Sequence, residues 1–119
     1  MILIVEDVEM IASHIGDICD QLGVGFSIAG LGRDALAIAS TRRLRLAIVD
    51  LRLPDMSGVD LIKQIRELPE PYGDVPILAA SGESRRVIIQ ALRAGANGMI
   101  EKPYGLDALK VKIVETIRS

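Results

Sequence analysis

Three carboxylates, one hydroxyl and one ammonium occupy matching places in this sequence. Glu6 and Asp7 follow the apolar run MILIV, Asp50 closes LRLAIVD, Ser81 closes VPILAAS, and Lys102 follows GMIE. A carboxylate at the end of an apolar run is desolvated unless something pairs with it. Beyond Asp50 the chain continues Leu-Pro-Asp and then Met-Ser-Gly, which is turn chemistry. Asp50 therefore sits where a buried strand surfaces into a loop. If the run ends share one edge, the carboxylates repel and raise one another's pKa unless a cation joins them. Hard oxygen ligands with room for water suit Mg²⁺, and Mn²⁺ is an alternative. Lys102 would balance part of the negative charge. Wet loops explain any one of these polar residues, but they explain the set poorly.

The elements that must position these residues follow from the pattern. Apolar runs at 1–5, 24–29, 44–50, 75–81 and 98–101 read as strands. Between them, residues 8–22, 33–43, 58–68, 84–94 and 106–118 read as helices. Ile11, Ile15, Ile18 and Leu22 form one apolar stripe, stopped by Gly23. Pro69 closes the third helix, and EPYG (70–73) reads as a loop. Five βα units with continuously apolar strands predict an α/β fold with a doubly wound, five-stranded parallel sheet covered on both faces. In such a sheet the functional crevice lies at the carboxyl ends of the strands, where the charged residues fall.

Composition narrows the function. The chain has 119 residues, enough for one domain with one core. Fourteen basic residues (14) against 16 acidic ones give a net charge of −2, which argues against direct nucleic-acid binding. One cysteine, Cys19, rules out an internal disulfide framework and fits a reducing, cytoplasmic setting. No apolar run reaches the length of a membrane span, and no signal peptide is expected. Aromatic side chains are too scarce to build stacking platforms for bases.

The motifs ILIVED, AIVDLRLPDMSG, ILAASG, AGANG and IEKP, in that order, resemble the receiver domain of two-component response regulators, the CheY-like family. The resemblance spans essentially all of 1–119. It implies a flavodoxin-like sheet in the order 2-1-3-4-5. It also implies that Asp50 accepts a phosphoryl group from a phosphohistidine on a histidine kinase or histidine phosphotransfer protein. Asp7 would bind Mg²⁺ directly and Glu6 through water, with Asp50 and the backbone carbonyl of Arg52 as further ligands. Ser81 and Lys102 would bind phosphoryl oxygens, and the Lys102–Pro103 bond would be cis. The signal would leave through the face formed by the fourth helix, fifth strand and fifth helix, to a downstream protein. Reactions at Asp50 would be catalysed by the domain itself, although its task is signalling.

Several positions depart from the pattern or admit other readings. Met99 stands where the family often carries Tyr, Phe or His as a switch; it either swings inward or fills a gap. Arg52 and Glu83 either pair as a lid over the phosphoryl group or stay solvated. GLGRDA (30–35) matches a dinucleotide fingerprint but follows the second strand, where a turn and helix start explain it. His14 reads as a solvated helix-edge residue, and Cys19 as core. Arg42, Arg43 and Arg45 complement a helix end. Arg85 and Arg86 open a helix, where the dipole disfavours them. Val87, Ile88 and Ile89 cannot all point inward, so Val87 or Ile89 is expected on a partner surface. Two rivals remain. A dehalogenase-like phosphatase would need an acid where Arg52 stands. A phosphate-independent interaction module would not need the acidic set at all.

Overall fold

The computed structural model describes residues 1–82, 85–102 and 105–118. Its strands are β1 (Ile2–Val5), β2 (Phe26–Ala29), β3 (Leu46–Asp50), β4 (Ile77–Ser81) and β5 (Gly98–Glu101). Its helices are α1 (Glu9–Gln21), α2 (Gly32–Thr41), α3 (Gly58–Arg66), α4 (Arg85–Ala94) and α5 (Leu106–Arg118). All strand pairs are parallel, in the order β2-β1-β3-β4-β5. The expected fold and order are both present.

Strand alternation divides the core. Leu3, Val5, Ala47, Val49, Ile77 and Ala79 face α2, α3 and α4. Ile2, Ile4, Leu46, Ile48, Leu78, Ala80 and Ile100 face α1 and α5, where they meet Ile15, Ile18, Cys19, Leu109 and Ile113. Each buried aliphatic side chain contributes about 1.5–3 kcal/mol. Cys19 is fully buried, and burial pushes its thiol up to about 11. The stripe predicted for α1 is the one that packs, and Gly23 ends it in a left-handed conformation (φ 71°).

Several apolar runs are longer than the strands they contain. β2, β3 and β4 each begin two residues later than the sequence suggests. Pairing starts where a neighbour is available: Ile2 lies level with both Phe26 and Leu46. Pro76 has no N–H to give and contributes only its carbonyl, which accepts from Ala47 N at 2.9 Å. The segment expected as a loop at 70–73 overlaps a short 3-10 helix, Tyr72–Asp74.

That turn is gathered by Arg66, the last residue of α3. Its Nη1 donates to the carbonyls of Gly73 and Val75, each at 2.7 Å. Its Nε and Nη2 donate to the Gly95 carbonyl at 3.0 and 2.8 Å. Nη2 also reaches Asn97 Oδ1 at 2.9 Å, and that oxygen accepts from Ile77 N at 2.8 Å. One guanidinium thus ties the end of α3 to the starts of β4 and β5.

Two helices on opposite faces of the sheet differ in charge. α1 exposes Glu9, Asp17 and Asp20 and carries no Lys or Arg. α4 exposes Arg85, Arg86 and Arg93 and carries no Asp or Glu.

Candidate functional site

Flush strand ends create the site. Asp50 lies level with Ala80, and Ser81 lies level with Glu101. Lys102 N donates to the Ser81 carbonyl at 2.9 Å, so the lysine starts one residue beyond the sheet. Glu6 follows β1, and its N–H donates to the Ala29 carbonyl at 3.0 Å. Parallel strands thus deliver Glu6, Asp7, Asp50, Ser81 and Lys102 to one edge.

Asp50, Glu6 and Ser81 are the buried polar residues among those described. Lys102 Nζ lies 2.9 Å from Asp50 Oδ2 and 3.2 Å from Glu6 Oε1. Asp50 Oδ1 accepts from Arg52 N at 3.0 Å. Burial and the neighbouring Asp50 raise the Glu6 pKa to about 7, although Lys102 pulls it the other way. Burial alone would lower the Lys102 pKa, but the hydrogen bonds and charges of Asp50 and Glu6 outweigh it and hold it above the usual lysine value. The ammonium therefore stays charged at neutral pH.

The donor set fits a hard divalent cation. Oxygen atoms of Glu6, Asp7 and Asp50 lie within 4.8 Å of one another. Glu6 Oε2 is buried and lacks a hydrogen-bond partner among the described residues. A buried carboxylate oxygen left unsatisfied is costly, and a cation or its water would satisfy it. One lysine cannot neutralise three carboxylates. Asp50, Arg52, Ser81, Gly82 and Lys102 line a concavity of about 290 Å³ beside this cluster. Its size and polar walls could admit a small anionic group such as a phosphoryl group beside the Asp50 carboxylate.

The other expected residues fall as follows. Asp7 is exposed at the cluster's rim, and the Arg52 side chain is exposed on the loop after β3. Met99 is half-buried on β5 and packs, like Val87, against the core between the sheet and α4. Glu83 and Pro103 lie outside the described residues, and with them the lid pair and the Lys102–Pro103 bond. Ile89 is 41% exposed and Val87 is half-buried, so the two side chains are not both buried against the core. His14, Arg42, Arg43, Arg45, Arg85 and Arg86 are solvated, and Cys19 is core.

Sequence reasoning missed Asp55. Its Oδ1 accepts from Gly32 N at 2.8 Å and its Oδ2 from Arg33 N at 3.0 Å, which caps α2 from another loop. This contact also disposes of the dinucleotide reading of GLGRDA. The N–H groups that would receive a pyrophosphate are occupied, and the Met56 side chain fills the space over Gly32. The one available signal was negative: Leu31, at the N-cap, offers no side-chain acceptor.

Comparison with known proteins agrees with this geometry. Residues 2–114 match a family model described as response regulator receiver domain. The chain is 33% identical over 115 residues to the luminescence regulatory protein LuxO of Vibrio campbellii, covering 96% of this chain but 25% of LuxO. It is 32% identical over 114 residues to the chemotaxis protein CheY of Pseudomonas aeruginosa, covering 94% of this chain and 91% of CheY. Among solved structures, the receiver domain of a sensor histidine kinase from Pseudomonas aeruginosa PAO1, with a magnesium ion in its active-site cleft, superposes with a TM-score of 0.90 at 28% identity. That match covers 99% of this chain and 97% of the other. The chain spans about a quarter of the LuxO relatives.

Proposed function

Since this chain belongs to the response regulator receiver domain family, we propose that Asp50 accepts a phosphoryl group from a phosphohistidine of a sensor kinase or phosphotransfer protein. The observation that carries this reading is the Asp50 carboxylate itself. It pairs with the Lys102 ammonium, which also reaches a buried, incompletely satisfied Glu6 carboxylate, at the wall of a polar concavity.

In this reading a carboxylate oxygen of Asp50 attacks phosphorus. The phosphorus–nitrogen bond breaks, the phosphorus–oxygen bond forms, and the imidazole leaves with a proton from solvent. Lys102 turns from the carboxylates toward a phosphoryl oxygen, and the Ser81 hydroxyl donates to another. Glu6, Asp7, Asp50 and the Arg52 carbonyl would hold Mg²⁺, with Mn²⁺ as a substitute. When bound, the ion supplies charge neutralisation for the transferring group. The chain contributes position and fixed charge, which is most of what phosphoryl transfer needs. Water later attacks the acyl phosphate and restores Asp50. Both steps are catalysed by the domain's own residues, and its task is signalling.

The output reading rests on exposure. Ile89 and Leu92 on α4 and Val111 on α5 are large apolar side chains open to solvent. We place the downstream protein on the face of α4, β5 and α5, in a cytoplasmic setting and without direct nucleic-acid contact. Met99, packed beneath α4, is the switch candidate, and Glu83 and Pro103 are lid or switch candidates from their places in the sequence. Charge added at Asp50 would bias two arrangements of this face.

The test is intact-protein mass after incubation with acetyl phosphate and Mg²⁺. A phosphoryl adduct is expected, absent from Asp50→Asn and from samples with EDTA. No adduct on the wild type, with phosphoramidate and candidate kinases also tried, would instead assign a phosphate-independent interaction module.

A further inference from the structure

Between Asp50 and α3 the chain makes a short loop that is fastened at every turn. Arg52 N donates to Asp50 Oδ1 at 3.0 Å, and Arg52 and Ser57 form an isolated antiparallel bridge. Gly58 N donates to the Leu51 carbonyl at 3.0 Å, and Ser57 Oγ accepts from Asp60 N at 3.1 Å to cap α3. Leu53 and Met56 pack against the core. The tip of the loop carries Asp55, which holds the N-terminus of α2 through two N–H groups.

That second attachment reaches across the site. α2 has no cap of its own, because Leu31 has no acceptor, so Asp55 satisfies two of the four N–H groups that a helix start leaves open. The bonds hold the Asp55 carboxyl below the usual aspartate value. Met56 seals the junction: a Cβ on Gly32 would lie 2.6 Å from its Cγ and Sδ. Just before α2, Gly30 runs beside β1, and a Cβ there would lie 3.7 Å from Asp7 Cα. Asp55 therefore ties the loop carrying the Arg52 carbonyl to the loop that flanks Asp7. These are two sides of one acidic cluster.

We propose that Asp55 is a positioning residue for the divalent cation: by clamping the β3–α3 loop to the start of α2, it holds the Arg52 carbonyl and the Asp7 side of the cluster at a fixed separation. It acts through the loop and coordinates nothing itself. The inference rests on the cation site proposed above and adds a residue outside it. Partners that orient ligands without touching the metal are worth about 10–100-fold in affinity.

The experiment measures Mg²⁺ binding by calorimetry and amide hydrogen exchange without metal, on the wild type, Asp55→Ala and Asp55→Asn. Asp55→Ala is expected to weaken Mg²⁺ binding about 10-fold and to speed exchange at Arg52 as well as at Gly32 and Arg33. Asp55→Asn keeps one acceptor and should recover most of the affinity. Faster exchange confined to Gly32 and Arg33, with Mg²⁺ affinity within about twofold of wild type, overturns the proposal, since the typical effect is larger. It would make Asp55 a helix cap and nothing more. Equal losses in Asn and Ala also overturn it, by assigning the effect to charge. If the wild type binds no Mg²⁺, the cation site fails first; unchanged exchange at Arg52 in Asp55→Ala refutes the clamp whatever the metal does.

Discussion

Replacing Gly58 with alanine probes how tightly the loop after β3 is seated on the end of the strand. A Cβ at Gly58 would lie 2.4 Å from the Asp50 carbonyl oxygen, 2.5 Å from Leu51 Cα and 3.0 Å from the Asp50 carbonyl carbon. All three are backbone atoms, so no side chain can rotate away. Relief requires moving the start of α3 or the end of β3 by about an ångström, and inserting a carbon into packed surroundings costs about 1–3 kcal/mol. Alanine recovers up to about 1 kcal/mol of helix propensity over glycine. The net loss should be about 1 kcal/mol, or roughly 3–6 °C in Tm for a domain of this size. Urea unfolding followed by circular dichroism measures it. Gly25→Ala, with nothing within 4 Å of its Cβ, is the control and should stay within about 0.5 kcal/mol of wild type. If Gly58→Ala is as stable as Gly25→Ala, the loop yields freely and the rigid placement of Asp50 derived from it is wrong.

Arg66→Lys keeps the charge but cannot reproduce a planar fork on Gly73, Val75, Gly95 and Asn97. With several charge-assisted bonds lost at a part-buried site, chemical denaturation should show a loss of about 2–3 kcal/mol; a loss below about 0.5 kcal/mol would refute the staple. Cys19 gives a pH signature. Its thiol ionises near 9 when unfolded and about 11 when folded, so its contribution is intact below pH 9 and lost as pH rises from 9 toward 11. Wild type should lose stability over that window more steeply than Cys19→Ala, as read from melting curves at pH 8 and 10.5; parallel slopes would refute it.

The parts of the site that interrupt an apolar run were readable. Asp50 after LAIV, and Glu6 after ILIV, are conspicuous because burial and charge conflict there, and parallel strands with flush ends leave them one place to meet. Strand starts were less readable. Residues 24–25, 44–45 and 75–76 continue apolar-containing runs, but pairing depends on where a neighbouring strand begins. Asp55 was invisible because its partners are the amides of Gly32 and Arg33, and amides carry no side-chain signature. Arg66 looks like any basic residue in a last helical turn; its acceptors come from segments that only the finished fold brings together. Gly58 reads as a helix-start glycine, and only the strand backbone beneath it explains why no larger residue fits.

Placing α1 on one side of the sheet and α4 on the other gives the molecule an electrical orientation. Three carboxylates front α1 and three guanidiniums front α4, in a body 31 × 31 × 27 Å across. Screening at physiological salt decays over about 8 Å, well short of that width, so an approaching protein senses one pole at a time. Basic surfaces are drawn to the α1 pole and acidic ones to the α4 pole, before any contact forms. Two partners of opposite charge can therefore be sorted during diffusion, and added salt should slow both associations while leaving dissociation nearly unchanged.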